Sequence, residues 1–371
     1  MIVLYTVMKK LSDFKDEINK CSKCGLCQSV CPVYKITGND CAVSRGKFVM
    51  LDGVLKGDLK LNKNINKYLD LCLKCGKCTD FCPSAIDVCK IFENAKYEYT
   101  KNTYFGKFLF LLESKYIFGN ILKFFKLITK PFRKKSPQKT QPTLKVLYFK
   151  GCVNNICPRT DNYIQKIFKN SNIEIIEKDF DCCGLPFLSS GNLERFEEVK
   201  QHNLKMLDCD FDYILTDCAS CENTLKQYVD AKFINIGELI LQQNIKFEFL
   251  KPIKVTFHKP CHLDNDDFVE PLLKNCKNVE YIKMNDYDEC CGLAGEFALK
   301  NPKLSKEISI KKAENILKTN ADYVITACPA CVLGLKQGLI LKKTFGKKST
   351  KVLGLLDFLN KAKINNNTID K

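Results

Sequence analysis

CSKCGLCQSVCP (residues 21–32) and CLKCGKCTDFCP (residues 72–83) each set four cysteines and a proline into twelve positions. The whole chain of 371 residues carries 23 cysteines. A chain of this length buries a core without covalent staples, so a disulfide framework is not called for. Its opening, MIVLYTVMKK, has too short an apolar run for a secretory leader, no basic lead and no small-residue cleavage site. A cytoplasmic location is therefore expected, where thiols stay reduced. Close-packed reduced thiols point to metal.

The spacing distinguishes the metals. Structural zinc sites pair two short knuckles around one tetrahedral ion. Here Cys21, Cys24, Cys27, Cys31 and Cys72, Cys75, Cys78, Cys82 follow CxxCxxCxxxCP, with Pro32 and Pro83 closing each run. In two-cluster ferredoxins three such thiols hold one cubane and the fourth reaches across to the other. The expected sets are Cys21, Cys24, Cys27 with Cys82, and Cys72, Cys75, Cys78 with Cys31. The stretch between the motifs has few β-branched runs, so residues 1–100 are expected to form a mainly helical ferredoxin-type domain with two [4Fe-4S] clusters.

A second cysteine pattern occurs twice. KVLYFKGCVNNIC (145–157) answers KVTFHKPCHL (254–263), DCCGLPF (181–187) answers ECCGLAG (289–295), and FDYILTDCASC (211–221) answers ADYVITACPAC (321–331). The offsets are 109 from Cys152 to Cys261, 108 from Cys182 to Cys290 and 110 from Cys218 to Cys328. Three landmarks at nearly one offset indicate a duplication. In each half a β-rich stretch delivers the first cysteine, an amphipathic helix follows the Cys-Cys-Gly, and a second strand delivers the CxxC. Alternating strands and helices predict two α/β lobes with parallel sheets, 144–250 and 251–371. Each half should then gather five cysteines: Cys152, Cys182, Cys183, Cys218, Cys221, and Cys261, Cys290, Cys291, Cys328, Cys331. Five thiolates exceed what zinc takes, and buried structural cysteines have no reason to recur at five matching places. One or two further iron–sulfur clusters are expected here. Gly184 and Gly292 are read as places where backbone approaches a cluster without a Cβ.

This order of a two-cluster domain and two CCG halves resembles the glycolate oxidase iron–sulfur subunit family. Heterodisulfide reductase and anaerobic glycerol-3-phosphate dehydrogenase iron–sulfur subunits are similar. CGLCQSVCPVYKITGNDCAVSRGK (24–47) carries the resemblance to the first of these. The resemblance implies an iron–sulfur electron-transfer subunit of a flavin-dependent 2-hydroxy-acid (glycolate or D-lactate) dehydrogenase. It would pass electrons from a flavoprotein partner toward a quinone or other acceptor. The alternatives are a heterodisulfide-reductase-like subunit with a catalytic CCG cluster, and a subunit of the glycerol-3-phosphate enzyme. No dinucleotide fingerprint, P-loop, GxSxG or HExxH is present, so no catalytic residue is assigned and the chain is not expected to act alone.

Three histidines remain. His202 reads as a helix-surface or packed residue. His258 and His262 flank Cys261 and either tune a cluster or pack beside it. Cys41, Cys89, Cys157, Cys209 and Cys276 recur in neither half and read as ordinary thiols. The formal net charge of +17 is offset by cluster charge, and no nucleic-acid motif accompanies it, so nucleic acid is not an expected partner. Residues 101–135 are aromatic and basic but broken by Lys107, Glu113, Lys115, Lys123 and Lys126, which excludes a membrane span. They read as a helical connector, or as a face for the inner membrane surface or a quinone-reducing partner. Residues 134–143 read as a linker.

Overall fold

The computed structural model describes residues 9–103, 142–156, 159–342 and 350–365. The expected connector beyond Thr103, and most of the linker, lie outside these residues. Residues 9–103 are helical, with no strand among them. Both cysteine motifs turn in the same way. Lys23 (φ 59°) and Gly25 (φ 84°) are left-handed in the first, Lys74 (φ 54°) and Gly76 (φ 75°) in the second. A left-handed lysine costs on the order of 1 kcal/mol, and the same cost is incurred twice at matching places. The short helices Leu26–Val30 and Lys77–Asp80 start on these glycines. Pro32 opens the helix Pro32–Thr37, where its missing N–H is not needed. Under the loops lies an apolar core of Leu11, Phe14, Phe48, Leu51, Ile91 and Phe92. The helix Val88–Lys101, capped by the Asp87 side chain, carries part of that core.

The duplicated halves each build a parallel sheet. In the first, β1 (Leu144–Phe149), β2 (Ile173–Glu177), β3 (Tyr213–Thr216) and β4 (Phe233–Asn235) lie in the order β2-β1-β3-β4. In the second, β5 (Lys246–His258), β6 (Cys276–Tyr281), β7 (Tyr323–Thr326) and β8 (Lys351–Gly354) lie in the order β6-β5-β7-β8. The order reverses between β1 and β3, and again between β5 and β7. Such switch points open a crevice at the strand C-termini. β5 is longer than its counterpart. Its first residues pair antiparallel with β9 (Lys363–Asn365), and it crosses the expected division at residue 250. The two sheets share one apolar core, with Val146 and Tyr148 of β1 and Val255 and Phe257 of β5 in the same cluster.

The amphipathic helices foreseen in each half are Leu193–Lys205 and Pro302–Lys318. Gly184 (φ 100°) and Gly292 (φ 87°) are left-handed, but they do not spare room for a cluster. A Cβ on Gly184 would meet the Phe196 ring, and one on Gly292 would meet the Ser305 carbonyl at 2.7 Å. Their freedom is spent on close packing against the helices behind the loop.

Gly338 serves a similar purpose. A methyl there would overlap the Ser309 carbonyl of the neighbouring helix. Gly338→Ala is expected to destabilise the chain by about 2 kcal/mol or more, because helix backbones rather than side chains must separate. Urea unfolding checks this, and an unchanged midpoint would show that the helices part freely.

Candidate metal centres

The N-terminal hollow is lined by Cys21, Cys24, Cys27, Cys78 and Cys82. Cys31 does not line it. Cys31 packs in the same apolar cluster as Cys75, and its charge bears on Cys75 and Cys78, and also on Cys27. Burial pushes the Cys31 thiol up and the charge of Cys72 adds to this, while Lys47 opposes it. Burial pushes Cys75 up to about 12, with Cys72 and Cys31 contributing. Cys78 rises for the same reasons, with burial first. Without a cation, such thiols keep their protons, whereas a metal takes them as thiolates. The paired left-handed residues of each loop also suit an anionic cluster, since turns of this kind aim backbone N–H groups into a concavity.

The ten cysteines of the duplicated halves lie at the crevices of the two sheets. Cys152 follows β1, Cys218 follows β3, Cys261 follows β5 and Cys328 follows β7. Cys218 and Cys328 each cap a helix N-terminus, Ala219–Lys226 and Pro329–Leu341, where the helix dipole favours negative charge. The Cys-Cys pairs arrive from the loops before Gly184 and Gly292.

All ten line one cavity of ≈ 220 Å³, far beyond the water-sized voids of a packed interior. The lobes meet there. Ala219 N–H donates to the Ala327 carbonyl (2.9 Å), and Ser220 Oγ lies 3.6 Å from Cys328 Sγ. Hydrogen bonds from Cys182 and Cys221 hold Cys183 well below the usual thiol range, and bonds from Cys290 and Cys331 do the same for Cys291. Cys218 of the first lobe holds down Cys328 of the second.

The ferredoxin-type unit forms one wall of this cavity. Leu73 and Lys74 line it, and the charge of Cys75 bears on both Cys261 and Cys290. His262 ties the wall in place. Its Nε2 donates to the Lys74 carbonyl (2.7 Å) and its Nδ1 faces Ser220 Oγ (3.0 Å). His262 was legible only as a neighbour of Cys261, because its partners come from two other parts of the chain. Lys35 pairs with Glu289 (2.7 Å) and Lys77 with Asp288 (2.8 Å), beside the Cys290–Cys291 loop. Lys96 joins Asp70 and Glu296, each at 2.9 Å, and donates to the Ser189 carbonyl.

Of the remaining cysteines, Cys209 and Cys276 do not line the cavity, and Cys276 Sγ donates to the Leu272 carbonyl (3.3 Å). Burial pushes Cys89 well up, with Cys72 and Cys78 adding to it, so it lies beside the second N-terminal set. Cys41 is half-buried. Cys157 lies outside the described residues. No described helix is long and apolar enough to cross a membrane.

The residues fit iron–sulfur clusters on the observations above: four- and five-thiol sets, N–H-rich loops, helix N-termini and a roomy thiol-lined cavity. The chain matches a family described as 4Fe-4S dicluster domain over residues 17–86. It matches one described as cysteine-rich domain twice, over 146–226 and 255–336. It is 27% identical over 376 residues to a relative from Methanothermobacter marburgensis, one of the subunits of its fumarate reductase (CoM/CoB), across 95% of this chain and 74% of that one. It is 23% identical over 435 residues to the probable glycolate oxidase iron–sulfur subunit of Bacillus subtilis, across 96% and 97%. It is also 23% identical over 378 residues to one of the subunits of the dihydromethanophenazine:CoB–CoM heterodisulfide reductase of Methanosarcina acetivorans, across 87% and 89%.

Proposed function

Because the chain belongs to the iron–sulfur oxidoreductase proteins that join a 4Fe-4S dicluster domain to two cysteine-rich domains, we propose that it is an electron-transfer subunit. Its proposed partner is a flavoprotein that oxidises a 2-hydroxy acid, glycolate or D-lactate, and its acceptor a quinone or similar carrier. One observation carries the electron-transfer reading: the second N-terminal thiol set abuts the cavity on which both cysteine-rich lobes open, with Cys75 acting on Cys261 and Cys290. The choice of hydroxy acid rests on the glycolate oxidase subunit, which this chain matches end to end.

In this reading, Cys21, Cys24, Cys27 and Cys82 hold one cubane, and Cys72, Cys75, Cys78 and Cys31 hold the other. The two five-cysteine sets hold one or two further clusters. The clusters would supply one-electron storage. The protein supplies thiolate donors, backbone N–H groups, helix N-termini and a wall that keeps the sets close. With no dinucleotide fingerprint in the chain, carbon chemistry is assigned to the partner.

Protein purified without oxygen is expected to contain iron and inorganic sulfide far in excess of zinc, at three to four clusters' worth per chain on a scale of about four irons per cubane. Stoichiometric zinc without sulfide would overturn the reading of every cysteine set. Hydroxy-acid oxidation is expected only after the flavoprotein is added.

The shared cavity favours a second reading, a disulfide or thiol reductase, because cysteines of both lobes face one common space. Isolated chain reduced by a viologen dye separates the two. Reduction of small disulfides at a catalytic rate would favour the second reading, and none would favour the first.

A further inference from the structure

His258 ends β5, is 1% exposed, and has no hydrogen-bond partner on either ring nitrogen. One of its ring nitrogens and the sulfurs of Cys291 and Cys331 all lie within 4.8 Å of one another, and all three residues are buried. The other histidines are engaged. His262 uses both nitrogens, on Lys74 and Ser220, and His202 Nε2 meets the Asp179 carbonyl.

The duplication shows what is unusual here. At the offset of 109 that relates Cys152 to Cys261, His258 corresponds to Phe149. Phe149 is an apolar ring packed 5.0 Å from Phe180, so the fold accepts a hydrocarbon at this place. The neighbouring threonine differs as well. In the first lobe Thr216 donates to Glu222 (2.8 Å). Its counterpart Thr326, the register partner of His258, has a buried hydroxyl without a partner, because Val332 stands where Glu222 does. Thr256, two residues before His258 on the same strand, is unpartnered too. An imidazole in place of phenylalanine has the Cys291 thiol as its nearest polar neighbour, with no hydrogen bond of good geometry on either nitrogen, and so faces two thiols at a spacing that a shared metal ion would satisfy.

We infer that His258 ligates the metal centre of the second lobe through a ring nitrogen, so that this centre has a nitrogen–sulfur donor set where the first lobe offers sulfur alone. The neutral ring gives its lone pair to the metal and keeps its proton on the other nitrogen. Ligating histidines commonly give their second N–H to an oxygen acceptor, and the nearest candidate by register is Thr326, whose hydroxyl is itself without a partner. The two lobes, alike in fold, then hold chemically different centres.

The inference rests on the iron–sulfur reading, and its test is separable from that reading. Full-length protein is produced without oxygen with 15N-histidine, its iron and sulfide are measured, and pulsed EPR is recorded through a redox titration. The expected result is a 15N coupling of directly bonded strength on one centre. It should be absent from H258F, which restores the residue of the first lobe, and retained in H262Q and H202Q. Should H258F fail to fold, retention of the coupling in the H202Q/H262Q double variant assigns it by elimination. Full iron and sulfide with only the weak coupling of a hydrogen-bonded N–H, or with a coupling that disappears in H262Q, overturns the inference alone. Absence of iron and sulfide overturns the iron–sulfur reading instead.

Discussion

Cys31→Ala is expected to remove one cluster's iron, and the cluster it removes is the one whose other ligands lie in the second cysteine run. Cys31 stands next in sequence to Cys21, Cys24 and Cys27, yet the hollow those three line takes Cys78 and Cys82 from the second run and not Cys31. Cys31 packs with Cys75, and it raises the proton affinities of Cys75 and Cys78 as well as that of Cys27. The reason is local. The helix Leu26–Val30 carries the chain away from the loop, and Pro32 starts a new helix directly after Cys31. The expected loss is about four irons per chain, with the EPR signal of the Cys21–Cys27 centre intact. Cys82→Ala should give the converse. Loss of the Cys21–Cys27 signal in Cys31→Ala, with the other preserved, would refute the crossed assignment.

Lys96→Met is expected to cost about 3 kcal/mol. The Lys96 ammonium, 4% exposed, joins Asp70 of the N-terminal unit, the Ser189 carbonyl of the first lobe and Glu296 of the second. Burial alone would lower its proton affinity, but Glu296 and Asp70 outweigh this and raise it. Methionine keeps the apolar stem and leaves two carboxylates with Lys300 as their remaining close cation. Lys35→Met is the control. Its pair with Glu289 is more than a third exposed on the lysine side, and such pairs contribute about 1 kcal/mol or less. Equal shifts in the thermal midpoints of the two variants would show that burial gives Lys96 no special weight.

The sequence by itself determined the chemistry and the local elements. Cysteine spacing is a covalent constraint, so the CxxCxxCxxxCP runs and the repeated CCG and CxxC landmarks specify donor sets before any fold is known. Period-2 and helical patterns place Tyr213–Thr216, Tyr323–Thr326 and the helix Pro302–Lys318, because these depend on neighbours in sequence. The short partner strands β2, β4, β6 and β8 were not legible, since brief apolar runs do not distinguish a strand from part of a buried helix.

Tertiary structure alone decided how the sets relate. Strand order is not encoded in any one strand, so the switch points that bring Cys152 to Cys218 and Cys261 to Cys328 appear only in the assembled sheets. The repeat pattern predicted two sets of five, and the packing of lobe against lobe opens both onto one cavity. The glycines after the cysteine pairs show the same limit. That a side chain would not fit there was legible, but only the packed helices reveal that Phe196 and Ser305, and not a cluster, occupy the space a side chain would take. His258 differs from Phe149 by one residue in an aligned repeat. Its unpartnered nitrogens became visible only when β5, the Cys290–Cys291 loop and the helix carrying Cys331 closed around it, because hydrogen-bond satisfaction is a property of three dimensions.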